Sequence, residues 1–237
     1  MSRRIPRSAA ALAGLAALLT SLGACDADDQ PAAAPPTDSA EAPSPTEDCP
    51  AIPGRHVGLD PGCWALGRSG IPFARITLPA GFTGNPEELW LNDPGDRTWG
   101  HIGIAATGDV FPDPCARTAA PPSNSSSIDD FAEALASQKV TTTSEPVPVS
   151  LGGHAGVRLT VSVPAGLDVS HCTDEELGLW RQEDGDLSID PGTVVRFWVV
   201  DVDGQDVVLK VTTEDVATEE TVKLFTEIVG SATFAES

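Results

Sequence analysis

Apolar and polar positions alternate through much of the chain beyond residue 70, which predicts strands broken by turn residues. Phe73-Ala-Arg-Ile-Thr-Leu78 alternates and stops at Pro79-Ala-Gly-Phe82, a strand and a turn. Trp99 to Ala105 predicts a second strand, with Ile102 and Ile104 on one face and His101 on the other. Val147 to Leu151 and Val157 to Val163 flank Gly152-Gly153 and read as a hairpin. Val194 to Val200 and Val207 to Val211 flank Asp203-Gly204, the strongest hairpin signal in the chain. A short closing strand is expected at Ala232-Thr-Phe234.

The period changes from two to 3.6 in two places. Ser127 is placed to cap a helix starting Ile128-Asp-Asp, whose acids suit the positive N-terminal dipole, and Ile128, Phe131 and Leu135 share a face. Thr218 starts a second helix with Val222, Phe225 and Val229 inward and Gly230 as its expected terminator. Strands, helix, several antiparallel strands and a helix predict an α+β fold, a mainly antiparallel sheet with one or two packed helices.

The N-terminal segment is patterned differently. Arg3, Arg4 and Arg7 precede an uncharged apolar run from Ala9 to Leu22. That run is shorter than the ~20 residues a membrane-spanning helix needs, and it suits the apolar region of a signal peptide. It ends in Leu22-Gly23-Ala24-Cys25, which resembles the bacterial lipobox and implies cleavage before Cys25 and acylation of its sulfur, with palmitate among the chains. Residues 1–24 are therefore expected to be a lipoprotein signal peptide. General secretion suits the segment better than twin-arginine export, because Pro6 and Arg7 stand where the latter wants apolar residues.

Residues 25–48 follow as an acidic Pro/Ala-rich disordered tether. After Cys25 it holds seven acids, five prolines, no base and no Val, Ile, Leu or aromatic residue. Such a segment cannot bury enough apolar surface to offset chain entropy, and like charges extend it. Residues 49–237 are expected to form a single extracytoplasmic domain.

Composition sharpens this division. The 237 residues carry 14 Lys+Arg and 35 Asp+Glu, a formal charge of −21. Loss of residues 1–24 would leave 11 bases against 35 acids, a charge of −24, of which −17 belongs to residues 49–237. This balance excludes nucleic acid as a partner, because phosphate neutralisation needs Lys and Arg. It equally excludes a polybasic grip on anionic lipid. An acyl anchor needs no such grip, since each buried methylene contributes ~0.8 kcal/mol.

Five cysteines are an odd set, and Cys25 accounts for the odd one. Cys49, Cys63, Cys115 and Cys172 remain, an even set that calls for two disulfides in an oxidising compartment. Three connectivities exist. A local Cys49–Cys63 staple and a long Cys115–Cys172 bridge are favoured.

Asp113-Pro-Cys115, the helix Ile128 to Leu135, Val149-Ser-Leu-Gly-Gly-His-Ala-Gly156, Val163-Pro-Ala-Gly-Leu-Asp168 leading to Cys172, and Arg196-Phe-Trp-Val-Val-Asp-Val-Asp-Gly204 occur in that order. Together they resemble a domain of actinobacterial cell-surface lipoproteins, over roughly residues 70–235. The resemblance implies a shared pair like Cys115 and Cys172, and brings no established reaction, cofactor or ligand. A looser likeness, in element order only, is to Lpq-type mycobacterial lipoproteins and the PsbP-like sandwich. Likeness of that kind assigns no function.

Candidate chemistry is sparse. His56, His101, His154 and His171 have no metal-binding spacing, and H-E-x-x-H, G-x-S-x-G and phosphate-loop motifs are missing. His171-Cys172 are neighbours in sequence, which does not make them a catalytic pair, and a disulfide would consume that sulfur. Asp201-Val-Asp-Gly-Gln-Asp206 resembles a calcium loop, but it lies between Val-rich strands where Asp-Gly is a turn. No catalytic residue, metal or cofactor is expected. Trp64, Trp90 and Trp180 lie in weakly patterned regions, and one or two of them are candidates to line a ligand groove.

The functional expectation is a membrane-anchored surface lipoprotein on the extracytoplasmic face. It would act as a monomeric, non-enzymatic binding or accessory module for an envelope protein, wall polymer or small apolar ligand. The alternative is an envelope hydrolase using paired carboxylates, which requires a cleft with two convergent carboxyls and a raised pKa.

Overall fold

The computed structural model describes residues 49–54, 57–68, 70–91, 100–117, 127–183, 185–215 and 217–234. Cys25, the apolar run, the tether, His56 and Trp99 lie outside them. Seven strands precede the first helix: β1 (Val57–Gly58), β2 (Gly62–Leu66), β3 (Ala74–Leu78), β4 (Phe82–Gly84), β5 (Glu88–Leu91), β6 (Gly100–Ala106) and β7 (Asp109–Val110). Helix α1 (Ile128–Ala136) is followed by β8 (Thr142–Thr143), β9 (Val147–Leu151), β10 (His154–Ser162), β11 (Leu177–Gln182), β12 (Gly185–Ile189), β13 (Thr193–Val202) and β14 (Gln205–Glu214). Helix α2 (Glu219–Gly230) and β15 (Thr233–Phe234) complete the chain order. The fold is α+β, as expected. Among the described residues no helix is long and apolar enough to cross a membrane.

The main sheet runs β1-β4-β5-β6-β14-β13-β10-β8, with β9 also paired to β10. Its centre is the long hairpin β13–β14, aligned from Thr193↔Glu214 to Val202↔Gln205. The turn takes φ 54° at Asp203 and 86° at Gly204, which a tight two-residue hairpin requires and which Asp and Gly tolerate best. The β9–β10 hairpin uses Gly152 (φ 59°) and Gly153 (φ 88°) in the same way.

Strict alternation divides the side chains of the main sheet between two cores. One face presents Leu89, Ile102, Ile104, Leu209, Val211, Trp198 and Val200 to α2 and to the small sheet β15-β3-β2. The other presents Ala105, Val208, Val195, Phe197, Val199, Leu159 and Val161 to α1 and to the small sheet β12-β11-β7. Trp198 is buried, as its flanking residues predict.

Both helices begin as the sequence predicts. The Ser127 hydroxyl accepts from the Asp130 N–H at 3.1 Å, and the Thr218 hydroxyl from the Thr221 N–H at 3.2 Å. The end of α2 differs. Gly230 is its last helical residue, and the cap is right-handed Ser231, whose hydroxyl donates to the Ile228 carbonyl at 2.6 Å. A hydroxyl that satisfies a terminal carbonyl removes the need for a left-handed glycine. Thr221 and Ile228 are buried with Phe225 and Val229, whereas Val222 is half-buried.

Cys49 pairs with Cys63 and Cys115 with Cys172. Their sequence separations of 14 and 57 correspond to about 3 and 4 kcal/mol of chain-entropy stabilisation. Arg117 reinforces the longer loop. Its side chain is 8% exposed, and its guanidinium reaches Asp174 at 3.2 Å, Glu176 at 3.0 Å and Asp186 at 3.5 Å. It thereby ties the disulfide loop to β12. Gly178 leaves room for it, since a methyl there would press on the Arg117 stem.

Candidate functional site

The second face of the main sheet is apolar across β10, β13 and Val208 of β14, then becomes polar from Lys210 and Thr212 of β14 through β6 to β5. Register places Trp90, His101 and Thr212 in one cross-strand row and Glu88, Gly103 and Lys210 in the next. All six positions share the face opposite Ile102 and Ile104, because side chains alternate. Gly103 makes the second row workable. A methyl at that position would collide with the Lys210 stem, so the bare backbone lets Lys210 cross β6 and meet Glu88 at 3.0 Å.

Strand β12 overhangs these rows and forms one side of a small, partly open cavity of about 160 Å³. Glu88, His101, Lys210 and Thr212 line it from the main sheet; Ser188 and Asp190 line it from β12 and the turn beyond. The volume is well below the ~300–1,000 Å³ of pockets for drug-sized ligands, so only a small polar group fits. The His101 ring lies 6.4 Å from that of Trp90, and its Nε2 lies 3.8 Å from Glu88. Burial, and then the Lys210 charge, push the His101 pKa down to about 4, with Glu88 opposing. His101 is therefore neutral at pH 7. Lys210 and Glu88 balance one another.

A larger and more open cleft of about 580 Å³ lies at the other end of that face. The first turn of α1, with Ser127 and Asp129, forms one wall, and Asp201 and Asp206 form another. Asp201 and Asp206 are direct cross-strand partners. One Asp201 oxygen accepts the Gly204 N–H at 2.6 Å and holds the turn. Burial, then the Asp201 charge, raise the Asp206 pKa above the ordinary carboxylate value. The acidic run is thus a hairpin turn that also places two carboxyls side by side.

The three tryptophans proposed for a ligand groove are all on strands, and they have different fates. Trp180 is wholly buried, wedged between Phe131 and Phe197, with its indole N–H donating to the Ala106 carbonyl at 3.1 Å. It has no face to offer a ligand, which corrects that expectation: its size and its one polar atom are both satisfied inside the core. Trp64 is half-buried on β2, packs against the first core and donates to the Asp60 carbonyl at 2.9 Å. Trp90 is half-buried beside His101, so it alone of the three stands next to a residue that lines the small cavity.

Among the described residues, His154 and the four paired cysteines take structural positions, and His171 is exposed. His154 is half-buried and stacks edge-on with Phe234 at 5.4 Å. His171 brings a ring nitrogen within 4.8 Å of the Cys115 and Cys172 sulfurs, but the disulfide consumes both. Asp113 caps the turn before Cys115. Its carboxylate accepts from the Ala116 and Cys115 N–H groups, and the Ala116 bond is the largest cause of its lowered pKa. The cavity at β5–β6 was not read from the sequence. Its one signal was a histidine and a glycine at alternate positions on the face opposite two isoleucines.

No protein-family model matches the chain, and no curated protein matches it. Among solved structures it is similar to LpqN of Mycobacterium tuberculosis, described as involved in cell envelope biogenesis. The identity is 16%, the TM-score 0.39, and the match covers 72% of this chain and 87% of LpqN. This meets the loose Lpq-type likeness noted from element order. It carries no argument about what this chain does.

Proposed function

We propose that the protein is a lipid-anchored binding or accessory module on the extracytoplasmic face of the cell envelope. The observation that carries this reading is the pair of disulfides bracing the domain directly after a lipobox-like Cys25 and an acidic spacer. Paired cysteines persist where thiols are oxidised, which is where an acylated Cys25 would hold the domain. The small cavity at β5–β6 supports binding over turnover. A histidine with a pKa of about 4 is poorly matched to proton transfer at neutral pH, and its neighbours Glu88 and Lys210 are engaged with each other.

Mass spectrometry of the native protein tests the anchor. The expected mature chain starts at acylated Cys25 and holds two disulfides, and Cys25→Ser releases it from membranes. A wild-type protein recovered without acyl groups in the soluble fraction overturns the reading.

A second reading is favoured by one observation, the Asp201–Asp206 pair with its raised pKa in the larger cleft. Two neighbouring carboxyls in one cleft, one of them with a raised pKa, are the groups a carboxylate hydrolase employs. Turnover of a wall glycan that is abolished by Asp206→Asn would establish it. Equal activity in wild type and variant would remove it.

A further inference from the structure

In a domain with more than twice as many acids as bases, two arginines stand as neighbours with no ion pair to a carboxylate among the described residues. Arg158 on β10 and Arg196 on β13 share the first face of the main sheet. Arg158 lies opposite Trp198 and Arg196 opposite Thr160, so the two are diagonal neighbours. Arg158 is exposed, and Arg196 is half-buried with one Nη1 donating to the Thr213 hydroxyl at 3.2 Å. Among the described residues neither guanidinium is within salt-bridge distance of a carboxylate. Burial, and then the like charge of Arg158, lower the Arg196 pKa.

Arg196 also forms one wall of an open groove of about 390 Å³ whose other wall is α2. Ala217, Val222 and the stem of Thr226 give that wall its apolar surface. Its charges are Glu219, Glu227 and Lys223, and the last two pair with each other at 3.7 Å. Beyond Arg158 the strip continues to Val147 on β9, which is 48% exposed and lies directly opposite Arg158. Two forked donors beside a short apolar trough match an oxyanion attached to an apolar body.

We propose that Arg158 and Arg196 bind the carboxylate or phosphate group of a small ligand whose apolar part lies in the groove between β13 and α2. The site is separate from the cavity at β5–β6 and does not depend on the anchor or on the second cleft. Glu219 in the groove wall disfavours a second negative charge there, which restricts the ligand to one anionic end.

Side-chain NMR of the full chain at low salt tests this, following the arginine Nε–Hε signals during titration with hexanoate, hexyl phosphate and hexanol. Saturable shifts of Arg158 and Arg196 with hexanoate or hexyl phosphate, and none with hexanol, are expected. Whichever anion binds more tightly identifies the head group. Arg196→Gln should weaken binding at least about tenfold, as loss of a charge-assisted hydrogen bond does. Arg158→Gln is on the exposed edge, and should weaken binding less without disturbing the fold. Lys139→Gln, remote in an exposed pair with Asp113, should change nothing. No saturable shift with either anion overturns the proposal. So does equal binding by hexanol, or undiminished affinity in both arginine variants.

Discussion

The two faces of the main sheet are built on the same strands and end differently. On the first face the apolar surface continues from β13 through β6 to β5 and β4, where Leu89 and Phe82 are sealed beneath α2 and the small sheet. On the second face it stops at Val208 of β14, where Lys210 and Thr212 follow, and β6 offers His101 and Gly103 instead of Ile102 and Ile104. The first face is closed largely by aliphatic packing. The second needs a wedged tryptophan, a disulfide, a buried arginine and a charge pair laid over a glycine. The difference teaches where a ligand can enter. Where apolar packing closes the first face beneath α2 and the small sheet no polar room is left, and its polar residues Arg158 and Arg196 stand outside that seal; the second face keeps charges around a cavity.

The largest expected test of this contrast is Trp180→Ala. It removes the wedge of the second core and orphans the Ala106 carbonyl, and should cost about 3–5 kcal/mol in urea unfolding. The same change at half-buried Trp90 should cost markedly less. Equal losses would mean that the second core does not depend on its aromatic wedge.

His101 tests the polar end. An unfolded histidine titrates near 6.5 and the folded one at about 4, so the unfolded state binds more protons between those values. The contribution of neutral His101 is complete above pH 6.5 and is lost as pH falls toward 4. The loss is on the order of 3 kcal/mol at 1.36 kcal/mol per pKa unit. Its neighbours Glu88, Lys210 and Asp190 keep their side chains in a His101→Asn variant. Urea midpoints at several pH values should therefore show a shallower acid loss in the variant than in wild type. Parallel pH profiles would show that His101 is not held neutral.

The smallest effect concerns Gly103. Gly103→Ala should force Lys210 off Glu88 and cost about 1–2 kcal/mol, as overpacking does. The Lys210 NMR signal should lose its coupling to Glu88. Gly103→Ala with unchanged stability would show that Lys210 does not need to cross bare backbone.

Much of the fold was legible because it is local. The caps at Ser127 and Thr218, the glycine turn at 152–153 and the Asp203-Gly204 hairpin each depend on a few adjacent residues. The tryptophan strands were less legible. On β11 the residues Leu177, Gly178, Leu179 and Trp180 are all buried in succession, and a register irregularity falls between Gly178 and Trp180. A strand covered on both sides and bulged in the middle shows no period of two, so its strand character was hidden. His101 was placed on the correct face, but not in a buried site. What buries it is β12, some ninety residues further along the chain.

By itself the sequence determined the α+β class, the helix starts, the hairpins and the favoured cysteine pairing, since dihedral preference, capping and chain entropy act over short spans. Only the tertiary structure decided which face receives each small sheet, that Trp180 is core, that Glu88 and Lys210 meet across Gly103, and that Arg158 and Arg196 stand side by side. Those outcomes depend on strand register and on contacts between segments far apart in sequence, where the pairing of one strand sets the neighbours of every side chain on it.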